Sequence, residues 1–256
     1  DLSPLIGAPK LSELDLSDTP LSDIGPLATI PTLSRVTLTS TPITDLSPLA
    51  GLPKLSTLQL DGTHPTDLTP LATLPMLQTL RLGGCDLTDI DGLAGAPALR
   101  DLTIRDNAIA DISVLGGMER LHHLDAVNNL IVDLAPLAPH EFLMTLRLDN
   151  NSIVSLEPLA GAVWLSELSV DQNPLQGLQG LEDLELGDLS AEAAGLTSLV
   201  AVAPTRLRFL RIADNHVTDL GAMGNDVGFG IAHARAGRIR EQVLRLNARI
   251  TGHRFL

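Results

Sequence analysis

Aliphatic residues recur along most of the chain at a fixed interval of 22 positions. Within each unit two apolar residues flank a polar one, as in Leu58-Gln59-Leu60. Because successive side chains of a strand point to opposite faces, this alternation predicts a short strand with both leucines turned inward. The first apolar column contains Leu14, Val36, Leu58, Leu80, Leu102, Leu124, Leu146 and Leu168. Eight units in phase predict a stack of parallel coils around one aliphatic core.

The second half of each unit predicts a short helical segment on the face opposite the strands. Dipeptides such as Ser47-Pro48 and Thr69-Pro70 recur there. Pro suits the first position of a helix, and Ser or Thr suits the cap before it. An Asp precedes each segment, in a column of Asp23, Asp45, Asp67, Asp89, Asp111 and Asp133. We expect these carboxylates to accept backbone N–H bonds of their own turns, and the alternative is calcium bridging between neighbouring coils.

Each predicted strand is followed by a column of turn residues that can bond the backbone. The column contains Thr19, Thr41, Thr63, Cys85, Asn107, Asn129, Asn151 and Asn173. An Asn side chain offers both donors and an acceptor, so it can bond its own coil and the neighbouring one, whereas Thr does part of this with its hydroxyl.

The full pattern, L-x-x-L-x-L-x-x-(N/T/C)-x-(I/L)-x-D-(I/L)-x-P-L-x-x-L, resembles the leucine-rich repeat in its 22-residue, internalin-type bacterial class. The resemblance covers residues 1–184, with a further unit at 207–223. It implies an α/β fold, a right-handed solenoid with a concave parallel β-sheet and short helical or 3-10 segments on the convex side. The segment TPITDLSPLAGL at residues 41–52 also resembles arrays of actinobacterial proteins with a NACHT-type switch, although the chain contains no G-x-x-x-x-G-K-(S/T).

The repeat predicts two regions, a solenoid at residues 1–226 and a different segment at 227–256. The interval from Leu168 to Leu210 is two periods minus two, so we expect an irregular coil near residues 185–206. Leu184-Glu185-Leu186 is the predicted strand of that region, and residues 191–203 are a candidate helix. This coil is either a degenerate repeat or a lip that protrudes toward a ligand.

The C-terminal segment is basic and predicts an amphipathic helix. Apolar residues from Ile231 to Ile250 follow helical spacing. Residues 227–256 contain six Arg and one Glu, a net charge of +5, which leaves −19 on residues 1–226 of the total of −14. We expect a cap over the last coil. The alternative is a docking helix for another domain, an anionic membrane surface or nucleic acid, the last through Arg235, Arg238 and Arg245.

Composition narrows the function classes. The net charge of −14 argues against nucleic acid as the partner of the chain as a whole. No apolar run reaches the length of a membrane span, and one Cys makes no internal disulfide. Residues Asp1–Leu5 match Asp45–Leu49, so the chain starts within a repeat. We expect a piece of a longer protein, a loss of upstream residues, or a disordered leader before Asp1.

The sequence contains no complete catalytic or metal-binding motif that we recognise. His122 and His123 are strand neighbours that point to opposite sides, so they do not chelate together. His140-Glu141 lacks the second His of a zinc-protease helix. Cys85 occupies the turn column, where we expect buried packing rather than a nucleophile. We therefore predict a protein that is not an enzyme and uses no cofactor or metal.

The outward strand positions predict three parallel rows of side chains on the concave face. The middle coils bring together a mixed-charge patch that we predict to bind a partner, formed by Arg81, Arg105, His123, Asp125, Arg147 and Asp149. Arg side chains on a rigid sheet suit recognition, but the rows contain few of the aromatic residues that tight interfaces use. The alternative is a solvated face with internal ion pairs only.

These features predict a protein-interaction module, the sensing or scaffold array of a larger protein. Its partner is a protein ligand or a neighbouring domain of the same polypeptide. The lone Cys and the missing signal segment favour a cytoplasmic location. The alternative is a secreted or cell-surface internalin-like adhesin. Phe142 and Trp164 share one column and either stack locally or mark a further docking surface.

Overall fold

The computed structural model describes residues 1–96, 98–202 and 207–219. Ten short strands form one parallel sheet in which spatial order follows chain order. The strands are β1 Glu13–Asp15, β2 Arg35–Thr37, β3 Thr57–Gln59, β4 Thr79–Arg81, β5 Asp101–Thr103, β6 His123–Asp125, β7 Thr145–Arg147, β8 Glu167–Ser169, β9 Asp188–Ser190 and β10 Phe209–Arg211. The prediction of a parallel-sheet solenoid is confirmed.

The aliphatic columns form the core between the sheet and the opposite side of the coils. Leu58 pairs with Val36 on one side and Leu80 on the other, so equivalent residues of neighbouring units lie side by side. All three are fully buried, as are Leu38, Leu60 and Leu82 in the second column. Burying an aliphatic side chain stabilises the fold by roughly 1.5–3 kcal/mol, so the stacked columns supply the main driving force.

The second half of most units folds into a short helical turn, as predicted. The 3-10 segments are Ser3–Leu5, Gly25–Thr29, Ser47–Leu49, Asp91–Leu93, Ser113–Gly117, Ala135–Leu137 and Glu157–Gly161, and Thr69–Ala72 forms one α-helical turn. The prediction that the Ser or Thr before each Pro caps the turn was wrong. Ser47 is the first helical residue, and it donates hydrogen bonds where a cap residue would accept one. Its backbone N–H and hydroxyl are satisfied by the Asp45 carboxylate, with N to Oδ1 at 2.8 Å.

Five of the six residues in the Asp column cap their turns, which confirms the expected backbone bonds at those five positions. Backbone amides of residues 25, 47, 69, 113 and 135 donate to Oδ1 of Asp23, Asp45, Asp67, Asp111 and Asp133 at 2.7–2.8 Å. The Ser47 hydroxyl and amide lower the pKa of Asp45, and the Thr69 amide and hydroxyl lower that of Asp67. Hydrogen bonds to the charged form explain how like charges stack along one column.

The turn column forms a ladder of hydrogen bonds between coils, also as predicted. Asn151 accepts the backbone N–H of Ile131 and donates from Nδ2 to the carbonyls of Ala126 and Leu148, all at 2.9 Å. Thr41 is buried too, yet its hydroxyl donates only within its own coil, to Leu38 at 2.5 Å. The Asn-bearing coils are therefore tied to their neighbours more strongly than the Thr-bearing ones.

A second column, directly before the turn residues, adopts a left-handed backbone. Its members have φ between 51° and 69°, and they are Asp18, Ser40, Gly62, Gly84, Asp106, Asn128, Asn150, Gln172, Ala193 and Asp214. Gly, Asn and Asp tolerate this conformation best, which explains most of the column. This left-handed column was not among the features predicted from the sequence.

The strand placed at Leu184–Leu186 was wrong, because β9 forms at Asp188–Ser190. Leu189 pairs with Leu168 and Leu210, so the interval divides into two coils of 21 residues. Residues 191–202 contain turns and a single bridge between Ser198 and Asp219, and no helix forms there. The region boundary at 226 and the basic segment 227–256, with Arg235, Arg238 and Arg245, lie outside the described residues.

Cys85 is buried in the turn column, and its thiol lies 3.2 Å from the Leu60 carbonyl oxygen. Burial raises the pKa of this thiol, which disfavours the nucleophilic thiolate and confirms the packing role. Within the described ranges, no helix has the length and apolarity that crossing a membrane requires.

Candidate binding face

The concave face is formed by the first and third residues of each strand, which point away from the core. Parallel pairing aligns these residues in continuous rows. One row reads Thr79, Asp101, His123, Thr145 and Glu167, and the adjacent one reads Arg81, Thr103, Asp125, Arg147 and Ser169. The short strands hold these side chains on a rigid backbone, so their relative positions are fixed by the fold.

Five of the six predicted binding residues line one shallow depression of about 430 Å³ on strands β4 to β8. The five are Arg81, Arg105, His123, Asp125 and Arg147. Asp149 instead lines a neighbouring depression, which shares Arg147 and Glu167 with the first. We call the first depression, with its lining residues, the central patch.

Arg81 is held in place by an acidic neighbour on the preceding coil. Its Nε donates to Oδ2 of Asp61 at 3.0 Å, while the backbone N–H of Gly83 donates to Oδ1 of the same carboxylate at 2.9 Å. A Cβ on Gly83 would lie 2.7 Å from that Oδ1. The absence of a side chain at this position therefore lets the carboxylate bridge the backbone and the guanidinium.

Weaker contacts hold the middle of the central patch. His123 lies 3.8 Å from Asp101 through Nε2 and Oδ1, and Thr79 donates its hydroxyl to the other Asp101 oxygen at 3.1 Å. Arg105 approaches Asp106 at 3.7 Å with about half of its side chain exposed. Ion pairs this long and this exposed contribute little to stability, so Arg105 and His123 remain available to a partner.

Arg147 makes the tightest ion pair on this face. Its Nε and Nη2 donate to Oε1 of Glu167 on the next strand at 3.1 and 2.7 Å. The hydrogen bond to Glu167 raises the pKa of the guanidinium, with Asp125 and Asp149 adding to the effect. Arg147 therefore stays charged while it separates the central patch from the neighbouring depression.

The neighbouring depression encloses about 350 Å³ on strands β7 to β10 and includes β9 residues that were not predicted from the sequence. Asp188, Ser190 and Leu189 of β9 line it, together with Phe209 and Arg211 of β10. The misplaced strand kept Asp188, Ser190 and Glu192 out of the predicted rows. Leu189 lies midway between Leu168 and Leu210. Placing the strand around this leucine would have predicted these residues.

Phe142 and Trp164 lie outside the concave rows. The Phe142 ring stacks on His122, with centroids 6.5 Å apart and an interplanar angle of 20°. Trp164 is 62% exposed and Phe142 53% exposed. Phe142 therefore stacks on His122, and the Trp164 side chain is largely exposed to solvent.

The chain is similar to solved solenoid structures. The crystal structure of an internalin C2 from Listeria monocytogenes is 32% identical, with a TM-score of 0.68, and the alignment covers 70% of this chain and 80% of that one. The chain belongs to the internalin-type leucine-rich repeat family. A second Listeria internalin, InlF, aligns with 86% of this leucine-rich repeat chain and 70% of its own length, with 27% identity and a TM-score of 0.78.

Other comparisons agree with the leucine-rich repeat assignment. A family model described as Leucine Rich repeat matches residues 73–94 and 204–224. The ectodomain of the Arabidopsis thaliana receptor kinase GASSHO1/SCHENGEN3, in complex with CASPARIAN STRIP INTEGRITY FACTOR 2, shares the fold at 22% identity and a TM-score of 0.61. That alignment covers 82% of this leucine-rich repeat chain and 35% of the receptor chain. Among curated protein sequences, none matches significantly.

Proposed function

We propose that this chain is a non-catalytic protein-interaction module that binds a protein partner through its concave face. The partner is a separate protein or a neighbouring domain of the same polypeptide. The observation that supports this proposal is the central patch, where one row of a rigid sheet presents Arg81 and Arg147 on either side of Asp125. Fixed guanidinium groups lose little entropy on binding, which makes them good anchors for a partner's polar groups.

The side chains of the face suit binding better than catalysis. The two guanidinium groups are always charged, and the nearest imidazole, His123, has only a long contact to Asp101. No three potential ligands converge on a metal position within the described ranges. Recognition of a partner needs neither a catalytic imidazole nor a metal ion, since it depends on complementary charge and shape.

The role as a sensing or scaffold array of a larger, NACHT-type protein is one reading of this proposal, supported by the sequence pattern at residues 41–52. An adhesin role is the second candidate, supported by the identity of 32% to internalin C2. Sequencing the gene upstream of the Asp1 codon discriminates them. A nucleotide-binding loop supports the first, and a signal peptide supports the second.

Affinity capture followed by direct titration tests the binding face. Proteins that immobilised wild-type chain captures are identified and purified, and each is titrated by calorimetry against wild type and against an Arg81→Ala and Arg147→Ala double variant. We expect the double variant to bind at least about tenfold more weakly, because two charged anchors are lost. Since both side chains are partly exposed, its free energy of unfolding should change by less than about 1 kcal/mol.

The matched control replaces two exposed cations outside the concave rows, Lys54→Ala with Arg120→Ala. This variant removes the same charge, so any loss of affinity caused by net charge alone appears in both. If every partner binds the Arg81 and Arg147 variant as tightly as wild type, the concave face is not the binding surface.

A further inference from the structure

An exposed apolar strip lies on the edge of the solenoid between the turn column and the Asp column. Leu130 and Val132 on one coil are 54% and 52% exposed, and Val154 on the next coil is 37% exposed. The exposed Ala108 and Ala110 continue the strip on the preceding coil. We call these five residues the edge strip.

The three coils that carry the edge strip are hydrogen-bonded to one another along it. The backbone N–H of Leu130 donates to the Ile109 carbonyl, and that of Ser152 donates to the Ile131 carbonyl, both at 2.9 Å. Ile109 and Ile131 are fully buried, so the residues on either side of each isoleucine are the ones that point outward. The edge strip is therefore one continuous surface.

The fold does not require apolar residues at the edge strip. Most other coils have a polar residue at the position of Val132, namely Ser22, Thr44, Thr66, Thr88 and Gln176. An aliphatic side chain that is half exposed adds little to the core, and contiguous exposed apolar residues are typical of interaction surfaces. The edge strip is therefore a candidate docking surface.

Negative charge follows one side of the edge strip. Asp111 and Asp133 directly follow Ala110 and Val132 in the chain. Their Oδ1 atoms accept backbone N–H groups of their own turns at 2.7 and 2.8 Å, and these neutral donors leave the negative charge in place. An apolar column and an acidic column thus run next to each other across the coils.

Residues 227–256 lie outside the described ranges, and their sequence complements the edge strip. Apolar residues recur there at helical spacing, at Ile239, Val243, Leu246 and Ile250. An arginine directly precedes three of them, at Arg238, Arg245 and Arg249. On the helix that this spacing predicts, the arginines form a second stripe beside the apolar one. The segment has six Arg and one Glu, whereas residues 1–226 carry a net charge of −19.

The described ranges end at Asp219, on the same edge of the solenoid as the edge strip. Thr218 donates its backbone N–H to the Thr197 carbonyl, as Gln176 does to the Val154 carbonyl, both at 2.9 Å. Thr218 is therefore three coils beyond Val154 in one column, a distance of about 14 Å. Residues 219–230 can span up to about 40 Å, which is enough to bring the following residues back to the strip.

A helix is also the right shape for the edge strip. One helical turn advances about 5.4 Å, and neighbouring coils are about 4.8 Å apart, so successive turns of a helix laid along the strip would face successive coils. The arginine stripe would then lie beside the Asp column.

We propose that residues 231–250 dock on the edge strip of the same chain, with the apolar stripe against Leu130, Val132 and Val154. The short tether raises the effective concentration of the segment at this surface, which favours it over a second copy. The exposed rings of Phe142 and Trp164 are on the edge that precedes the strands, where the neighbouring Arg120 and Glu141 have opposite charges. That edge does not match a basic segment.

Paramagnetic relaxation in the full chain tests the proposal. A nitroxide is attached to Ala248→Cys, which is on the side of the predicted helix opposite the apolar stripe. Cys85 is buried with a raised thiol pKa, so it does not compete for the reagent. We expect the nitroxide to broaden the amide resonances of Leu130, Val132 and Val154, and reduction of the nitroxide to restore them.

A Leu130→Ser and Val132→Thr double variant removes the centre of the edge strip. We expect the relaxation enhancement at Val154 to fall at least about threefold, because apolar contact area is lost. The matched control is Phe142→Ser with Trp164→Ser, which removes two exposed apolar side chains from the other edge and should leave the enhancement unchanged. Thermal unfolding checks that both variants are folded.

Broadening confined to Leu210 and Val217 would overturn the proposal in favour of a cap over the last coil. Broadening around Phe142 and Trp164, or none at all, would also overturn it. A mixture of spin-labelled chain without isotope and isotope-labelled chain without nitroxide identifies a second copy, because broadening in that mixture is intermolecular. The experiment needs no partner protein, so its outcome and that of the Arg81 and Arg147 experiment are independent.

Discussion

The side-chain oxygen of Asn129 accepts the backbone N–H of Ile109 on the preceding coil at 3.1 Å. The same side chain donates from Nδ2 to the carbonyls of Ile104 at 3.0 Å and Ala126 at 3.2 Å. Asn129 is 6% exposed, so water does not replace these bonds. One amide side chain therefore satisfies three buried backbone groups on two coils.

Asn129→Ala should destabilise the chain by about 2–4 kcal/mol, because it leaves several buried backbone groups without partners. Thr41→Val is the matched comparison at the same position of an earlier coil, where one hydroxyl donates to Leu38. That substitution should cost about 1 kcal/mol. Urea unfolding followed by circular dichroism measures both, and equal costs would contradict the assigned role of the inter-coil bonds.

Gly180→Ala should destabilise the chain by about 2–4 kcal/mol through steric conflict and backbone strain. Gly180 has a φ of 99°, and a Cβ there would meet the Leu156 carbonyl oxygen and lie 2.6 Å from the Glu157 Cα. Gly117→Ala is the control, because a Cβ there meets no atom within 4 Å. Thermal unfolding should place the Gly180 variant well below wild type and the Gly117 variant within a few degrees of it.

His140 should make the chain less stable at mildly acidic pH. The side chain is 1% exposed, with Nε2 2.9 Å from the Leu115 carbonyl oxygen, and burial lowers its pKa below the ordinary histidine value of about 6.5. Between the folded and unfolded pKa values the unfolded state binds more protons. Stability is therefore present above about pH 6.5 and is lost as the pH falls toward the folded pKa.

Unfolding free energies at pH 7.5 and 5.5 measure this effect in wild type and in His140→Gln, which keeps a donor for the Leu115 carbonyl. The variant should lose less stability than wild type over this interval. His123→Gln, at an exposed position of the concave face, controls for removal of a histidine as such. An unchanged pH dependence in His140→Gln would assign the acid sensitivity to other groups.

Calcium should not stabilise the Asp column. The carboxylates of Asp45 and Asp67 already accept both the amide and the hydroxyl of Ser47 and Thr69. A ligand stabilises a fold only if it binds the native state preferentially, so we expect millimolar calcium to shift the melting temperature by less than about 1 °C. A rise that saturates with calcium concentration, and that Asp45→Asn and Asp67→Asn abolish, would restore the bridging alternative.

Residue spacing predicted the fold well because each coil repeats the same physical solution. Leu58 and Leu80 are buried side by side, as their spacing of one 22-residue repeat predicted. The prediction failed at Leu184–Leu186, where local alternation favoured a strand and the pairing of Leu189 with Leu168 decided otherwise. Register between coils is set by neighbours on both sides, and a short local pattern does not contain that information.

The binding face was less predictable than the fold. The grouping of Arg81, Arg105, His123, Asp125 and Arg147 could be predicted, because the outward positions of paired strands align in rows across the sheet. The sequence did not indicate that Arg147 would be drawn to Glu167, nor that the serines at 169 and 190 would leave a depression. Those features depend on side-chain conformation and on relative side-chain size across three coils.

The uniform register of the sheet makes the length of this protein adjustable in discrete steps. Leu58 meets Val36 and Leu80 through equivalent pairings, so excision of residues 57–78 would bring β2 against β4 with the same hydrogen bonds and an unbroken core. Each deletion or duplication would change the reach of the face by one strand spacing, about 4.8 Å. Recombination between neighbouring units can therefore change the number of coils, and with it the length of the concave face, to match a partner of a different size.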